Sequence, residues 1–143
     1  MESTSCVFCD IVAGRAPASI VYRDELVCTF MDIRPVNPGH LLVIPVQHAA
    51  HLADLDAQAG GRMFEVGQRM AAALRRSGVK CEGVNFFLAD GEVAGQEVFH
   101  AHLHVVPRFD GDGFGLRYGP EFGTLPERSA LQSVASAVRN ALN

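Results

Sequence analysis

Gln96-Glu97-Val98-Phe99-His100-Ala101-His102-Leu103-His104-Val105-Val106-Pro107-Arg108 is the stretch that decides how this chain reads. Half of the six histidines stand at alternate positions within it, interleaved with Phe99, Ala101, Leu103 and Val105. A period of two is the signature of a strand with one face on a core, so the spacing predicts a strand over 99–107 with three imidazoles on one face and the apolar set on the other. At about 3.3 Å of rise per residue, neighbouring rings are rooted roughly 6.6 Å apart. Covered and unpartnered, three such rings would cost about 1 to 3 kcal/mol each, out of a total stability of about 5 to 15 kcal/mol. Exposed and all charged, each neighbouring pair would repel by about 2.5 kcal/mol at an effective dielectric of about 20. Neutral rings awaiting an anion fit better. Such a row can supply a neutral nucleophile and a proton donor at the same pH.

Outward from that stretch, the remaining elements are short. Ile20-Val21-Tyr22 and Leu26 to Phe30 read as strands joined by Arg23-Asp24-Glu25, and Leu41 to Pro45 reads as a third, entered through the turn Asn37-Pro38-Gly39. Between Gly61 and Ser77, Met63, Val66, Met70 and Leu74 make an apolar stripe opposite Arg62, Glu65, Arg69 and Arg76, which predicts an amphipathic helix ended by Gly78. Val84 to Ala89 supplies another strand before the turn Asp90-Gly91. Thr124-Leu125-Pro126-Glu127 has capping-box spacing ahead of a terminal helix carrying Leu131, Val134, Ala135 and Val138. Consecutive strands with a helix on one face predict an α+β fold. Asp110 to Gly115 is glycine-rich, but it lacks the lysine and Ser/Thr of a phosphate-binding P-loop and reads as a surface loop.

Bulk composition narrows the function. With 143 residues, 48% of them apolar, the chain is expected to form a single domain over 1–143, its core in 6–109 and a loop and helix in 110–143. No run approaches the roughly 18 apolar residues of a membrane span, and Met1 to Ser5 lacks the features of a secretory leader, so a cytoplasmic protein without a membrane partner is expected. A net charge of −4 argues against nucleic-acid binding. The four cysteines then read as thiols or metal ligands. Cys28 sits in an apolar run as a small core residue, and Cys81 has no evident role.

These motifs together resemble the histidine triad (HIT) family, in its bacterial Hint-like branch. The resemblance rests on the triad with its trailing Val105-Val106, on Cys6 to Gly14, on Phe30-Met31-Asp32-Ile33, on Gly39 to Pro45 and on Gly95-Gln96, in order along the chain. It implies a five-stranded antiparallel sheet with a helix on one face plus a C-terminal helix, and a homodimer in which two sheets join. It also implies an enzyme: a nucleotidyl hydrolase or transferase acting at the α-phosphate of purine nucleoside 5′-phosphate derivatives.

Carried over residue by residue, the resemblance makes His102 the nucleophile and places His104 beside the phosphate and its leaving group. His100 helps orient His102, and Gln96 with backbone N–H groups stabilises the phosphoryl oxygens. Asp32 would take the ribose hydroxyls, since a carboxylate accepts both bonds. Val7, Phe8, Ile11, Phe30, Ile33 and Val98 would line the substrate pocket. No catalytic metal is required. Cys6-x-x-Cys9 is half of a zinc site, for which the resemblance implies His48 and His100 as the other ligands, with His51 competing for the place of His48. His40 either belongs to the outer site or packs beside it. Two positions depart from the family: Ala89 stands where Asn or Gln is common, and Glu97 where the eukaryotic phosphoramidase branch has serine. Both favour the alternative, a non-catalytic purine nucleotide-binding regulatory or interaction module.

Overall fold

The sheet starts in a hairpin whose turn is built by one carboxylate. Asp24 Oδ1 accepts the N–H groups of Leu26 and Val27 at 2.8 and 2.9 Å, so the chain reverses between β1 (Ile20–Arg23) and β2 (Val27–Met31). In this computed structural model, which describes residues 5–142, three further strands follow: β3 (Leu41–Pro45), β4 (Gly83–Phe87) and β5 (Leu103–Arg108). All pairings are antiparallel, in the order β1-β2-β3-β5-β4.

The sheet is covered on both faces, which is why Leu41-Leu42-Val43-Ile44-Pro45 is an uninterrupted apolar run with every residue buried. Leu41 and Val43 join Val27, Leu103 and Val105 against Met63, Val66, Met70 and Leu74 of the long helix α2 (Ala57–Arg76). Leu42 and Ile44 turn the other way, with Cys28 and Phe30, onto Phe8 and Ile11 of the short helix α1 (Val7–Val12). That second face carries the histidines. Two glycines allow the close fit: Gly39, at φ +101°, would bring a Cβ to 2.8 Å from Val79 Cγ1, and Gly67 lets α2 approach Leu103 and Phe86, at 3.1 Å from a would-be Cβ.

The fold expected from the resemblance is present in its strands and helices, with four local corrections. Helix α2 starts four residues before Gly61, because Asp56 caps it by accepting from Gln58 N and Ala59 N. The triad strand starts at Leu103, so Phe99, His100 and His102 precede it. The His102 ring takes the His100 carbonyl locally and Ala101 N–H bonds Ala49 O, 52 positions away, and these bonds displace the ladder. Phe99 accordingly does not face the core: it is exposed and lies edge-on to the His51 ring.

Residues up to Gly113 form one compact unit and those from Phe114 a second. Within the second, α3 (Arg128–Ala141) begins after Glu127, and Thr124 stands outside it with no side-chain cap. Pro126 explains the lost capping box, since it bars Leu125 from helical geometry. Among the described residues, no helix is long and apolar enough to cross a membrane.

Candidate active site

The three histidines are held by different partners, and those partners assign their ring protons. His102 Nδ1 lies 2.8 Å from the His100 carbonyl, which can only accept; Nδ1 therefore carries the proton and the lone pair is on Nε2. His100 Nε2 lies 2.9 Å from Pro45 O, so its lone pair is on Nδ1. For His104 the assignment passes through His40. The Val36 N–H donates to His40 Nδ1 at 3.0 Å, which leaves the His40 proton on Nε2, 2.9 Å from His104 Nδ1. His104 thus accepts at Nδ1 and keeps its proton on Nε2. His102 and His104, ring centroids 5.0 Å apart, offer a lone pair and an N–H side by side.

Burial disfavours charge on His104, His100 and His40. It pushes His104 down to about 4, with His102 and His40 adding to the effect and Asp32 opposing it. His100 is also pushed to about 4, chiefly by burial, and His40 is lowered by burial against the pull of Asp32. No buried side-chain nitrogen or oxygen among the described residues lacks a hydrogen-bond partner. The cost of covering the triad is therefore met bond by bond.

His102 and His104 border a cleft of about 630 Å³. Its apolar end is formed by Phe8 and Ile11 of α1 with Phe30 of β2, and Val7, Ile33 and Val98 also line it. Asp32 lines the cleft beside His104 and His40, its Oδ2 3.4 Å from His40 Nε2. Phe8 touches both subsites, edge-on to Phe30 at 5.3 Å and to His102 at 5.1 Å. The structure thus brings together His102, His104, Asp32 and all six apolar residues singled out in the sequence.

Gln96 is different. Expected to bind phosphate, its side chain is buried and committed: Oε1 accepts from Gly91 N at 2.8 Å, and Nε2 donates to Ala50 O at 2.7 Å and Val98 O at 3.1 Å. An amide has two N–H donors and both are used, so Gln96 shapes the loop from Gly91 to Val98 and has no donor left for phosphate. From the sequence one further side chain goes unnoticed, and a second, His40, stays open between the outer site and packing beside it. Phe87 stacks on His104, centroids 4.3 Å apart and planes within 17°, and His40 sets the tautomer of His104. The alternation of β4 against β5, which pairs Phe87 with His104, is the signal that finds the first. A histidine immediately before the apolar run of β3 is too weak a signal to fix the role of the second.

Behind the cleft lies a second cluster. Cys6, Cys9, His48 and His100 place their ligand atoms within 4.8 Å of one another. Cys6 Sγ and Cys9 Sγ lie 3.3 and 3.6 Å from His100 Nδ1, and Cys9 Sγ and His100 Nδ1 lie 3.3 and 3.2 Å from His48 Nδ1. Two sulfurs and two imidazole nitrogens suit tetrahedral zinc, and the His100 nitrogen that faces the thiols is the one carrying the lone pair. Burial, with Cys6 adding to it, pushes the Cys9 thiol up to about 11, the reverse of what a thiolate needs without a cation beside it. His51 is not in the cluster; it lies 3.5 Å from Asp90.

The α+β sheet and the paired imidazoles bordering its cleft are those of a known family. Residues 13–111 match the HIT domain, and the chain belongs to the HIT family. It is similar to a HIT family protein from Bacillus anthracis, with 35% identity, a TM-score of 0.89 and coverage of 99% of this chain and 100% of that one. A Zn-bound histidine triad family protein from Mycobacterium smegmatis is 44% identical, with a TM-score of 0.76 over 95% and 99% of the two chains. A histidine triad nucleotide-binding protein from Candida albicans is 25% identical, with a TM-score of 0.83 over 95% and 96%.

Proposed function

We propose that this protein binds purine nucleotides in the cleft and hydrolyses or transfers nucleoside 5′-phosphate derivatives at the α-phosphorus through a nucleotidyl-His102 intermediate. The observation that carries this reading is the opposite polarity of the two neighbouring rings: a lone pair on His102 Nε2 and a proton on His104 Nε2. The likeness to a nucleotide-binding protein from Candida albicans supports the ligand class.

In the first step the His102 Nε2 lone pair forms a bond to phosphorus while the bond to the leaving group breaks, and one proton goes to the departing atom. In the second, water attacks phosphorus, the P–N bond breaks, and a proton from that water replaces the one consumed. His104 is the ring placed to carry it once it holds a second proton, because a phosphate anion seated beside it counteracts the burial that keeps it neutral; that proton sits on Nδ1, and the His40 Nε2–H turns from Nδ1 to Asp32 Oδ2, 3.4 Å away. Asp32 takes the ribose hydroxyls, while Phe8, Ile11 and Phe30 hold the base. Cys6, Cys9, His48 and His100 hold a structural zinc, which supplies a rigid anchor for the peptide carrying the His102 acceptor. The protein works in the cytoplasm as a homodimer, the bare edge of β4 being the place where a second sheet joins.

One observation favours the reading as a binding module without turnover: Gln96 has no free donor, and Ala89 supplies none. Mass spectrometry of protein quenched during incubation with adenosine 5′-phosphoramidate separates the two. A nucleotide adduct in wild type that is absent in His102→Ala supports catalysis; binding with neither adduct nor AMP release supports the module.

A further inference from the structure

The rim of the cleft carries an ion pair that belongs to neither the base pocket nor the triad. Arg34 Nη2 lies 3.3 Å from Glu97 Oε1, and the two side chains are 83% and 79% exposed. Their backbones are pinned while their tips are free. Arg34 N–H donates to Asp32 Oδ1 at 2.8 Å, which fixes it to the β2–β3 loop, and Glu97 follows the immobilised Gln96. An exposed pair of this kind contributes about 0 to 1 kcal/mol, so a charged ligand can part it at small cost.

Among the described residues lining the cleft, Asp32 and Glu97 are the carboxylates and Arg34 is the one permanent cation. Asp32 is committed to Arg34 N and His40, and under the function proposed above it also takes the ribose. Arg34 stands beside Asp32, and Glu97, its partner, is on the wall that the cleft shares with a neighbouring hollow, so a leaving group directed from His102 toward that hollow passes the pair. Glu97 and Val98 wall that hollow, which measures about 410 Å³ and is bordered by Ser5, His48 and Phe99, so there is room for a side chain on the leaving group.

Resting on that function, we propose that Glu97 and Arg34 form a leaving-group selector favouring nucleoside phosphoramidates whose departing amine bears a second, cationic group. The ammonium replaces Arg34 as the partner of Glu97, and the released guanidinium turns to a phosphate oxygen, so both charges remain paired. A polyphosphate leaving group gains Arg34 but leaves Glu97 facing like charge. The pair therefore separates amine from polyphosphate substrates by charge rather than by shape.

The test uses two adenosine 5′-phosphoramidates of equal chain length, one ending in an ammonium and the other in a methyl group. Wild type is expected to show about fivefold higher kcat/KM for the ammonium compound at low salt. Glu97→Gln should bring the ratio close to one, and Arg34→Ala, which leaves Glu97 without its resident partner, should raise it. A wild-type ratio near one, or a ratio unchanged in Glu97→Gln, overturns the selector. If wild type turns over neither compound, the catalytic reading fails alone; dissociation constants of the same two compounds by calorimetry then give the ratio, with the same expectations for both variants.

Discussion

The carbonyl oxygen of His100 accepts the Nδ1–H of His102 at 2.8 Å, while the ring of the same His100 faces the sulfurs of Cys6 and Cys9. One residue therefore joins the candidate nucleophile to the candidate zinc site: its backbone sets the tautomer of His102, and its side chain anchors that backbone. Zinc held at that candidate site would be coupled to His102 orientation through covalent bonds and would preorganise the ring.

Loss of a thiol should show this coupling. Cys9→Ser is expected to lower the zinc content below half an equivalent and to lower Tm by on the order of 10 °C, since metal binding is folding free energy. Nitrogen-15 chemical shifts should also report a mixture of His102 tautomers in the variant. A single Nδ1–H tautomer persisting after complete loss of zinc would show that the anchor does not depend on the metal.

His40 acts through His104. In His40→Ala the bond to His104 Nδ1 is gone, and the His104 proton is free to move to the wrong nitrogen. We expect kcat for AMP release to fall by about a hundredfold with little change in KM, because the nucleotide contacts remain. Loss confined to KM would instead make His40 a packing residue.

How far the chain could be read before folding depends on the range of each interaction. Leu41 to Pro45 reads correctly because its pattern and its turn at Gly39 are local, and the stripe Met63, Val66, Met70, Leu74 is the one that α2 buries. The start of β5 does not, since the bond between His100 and His102 competes with strand geometry over a few residues where periodicity is the sole signal. The role of His40 depends on a partner 64 positions away, and that of Gln96 on Ala50, 46 positions away. Residue types and spacing do not encode such pairings without the fold.

Acid should weaken the folded state in two stages. His104 titrates at about 4 when folded, against an ordinary 6.5, so between those values the unfolded chain binds a proton that the folded one excludes. Stability is complete above about pH 6.5 and declines toward 4. Asp24 acts below that: burial opposes its charge, but N–H groups of Val27 and Leu26, then Arg62 and Tyr22, hold it at about 2 instead of 3.8. Its contribution is present above 3.8 and is lost as pH falls through 2. In urea titrations, His104→Gln should reduce the slope of the upper stage, His100, also held at about 4, keeping the rest, and Asp24→Asn should flatten the lower. Unchanged slopes in either variant would assign that stage to other groups.

Ala89 tests whether the weak point of the phosphate site lies in the loop before Gly91. With Gln96 turned inward and bonded to Ala50 and Val98, the site lacks the side-chain amide that family members often place at position 89. Ala89 follows β4, two residues after Phe87, the residue that stacks on His104. Ala89→Asn adds a donor close to phosphate and should lower KM for adenosine 5′-phosphoramidate by about fivefold, the effect of one hydrogen bond of about 1 kcal/mol. A fall in KM with kcat constant means that the amide binds ground and transition states alike; a rise in kcat means that it meets charge developing on the oxygens during attack. No change in either parameter would place position 89 outside the reach of the substrate, and the loop would then owe its shape to Gln96 alone.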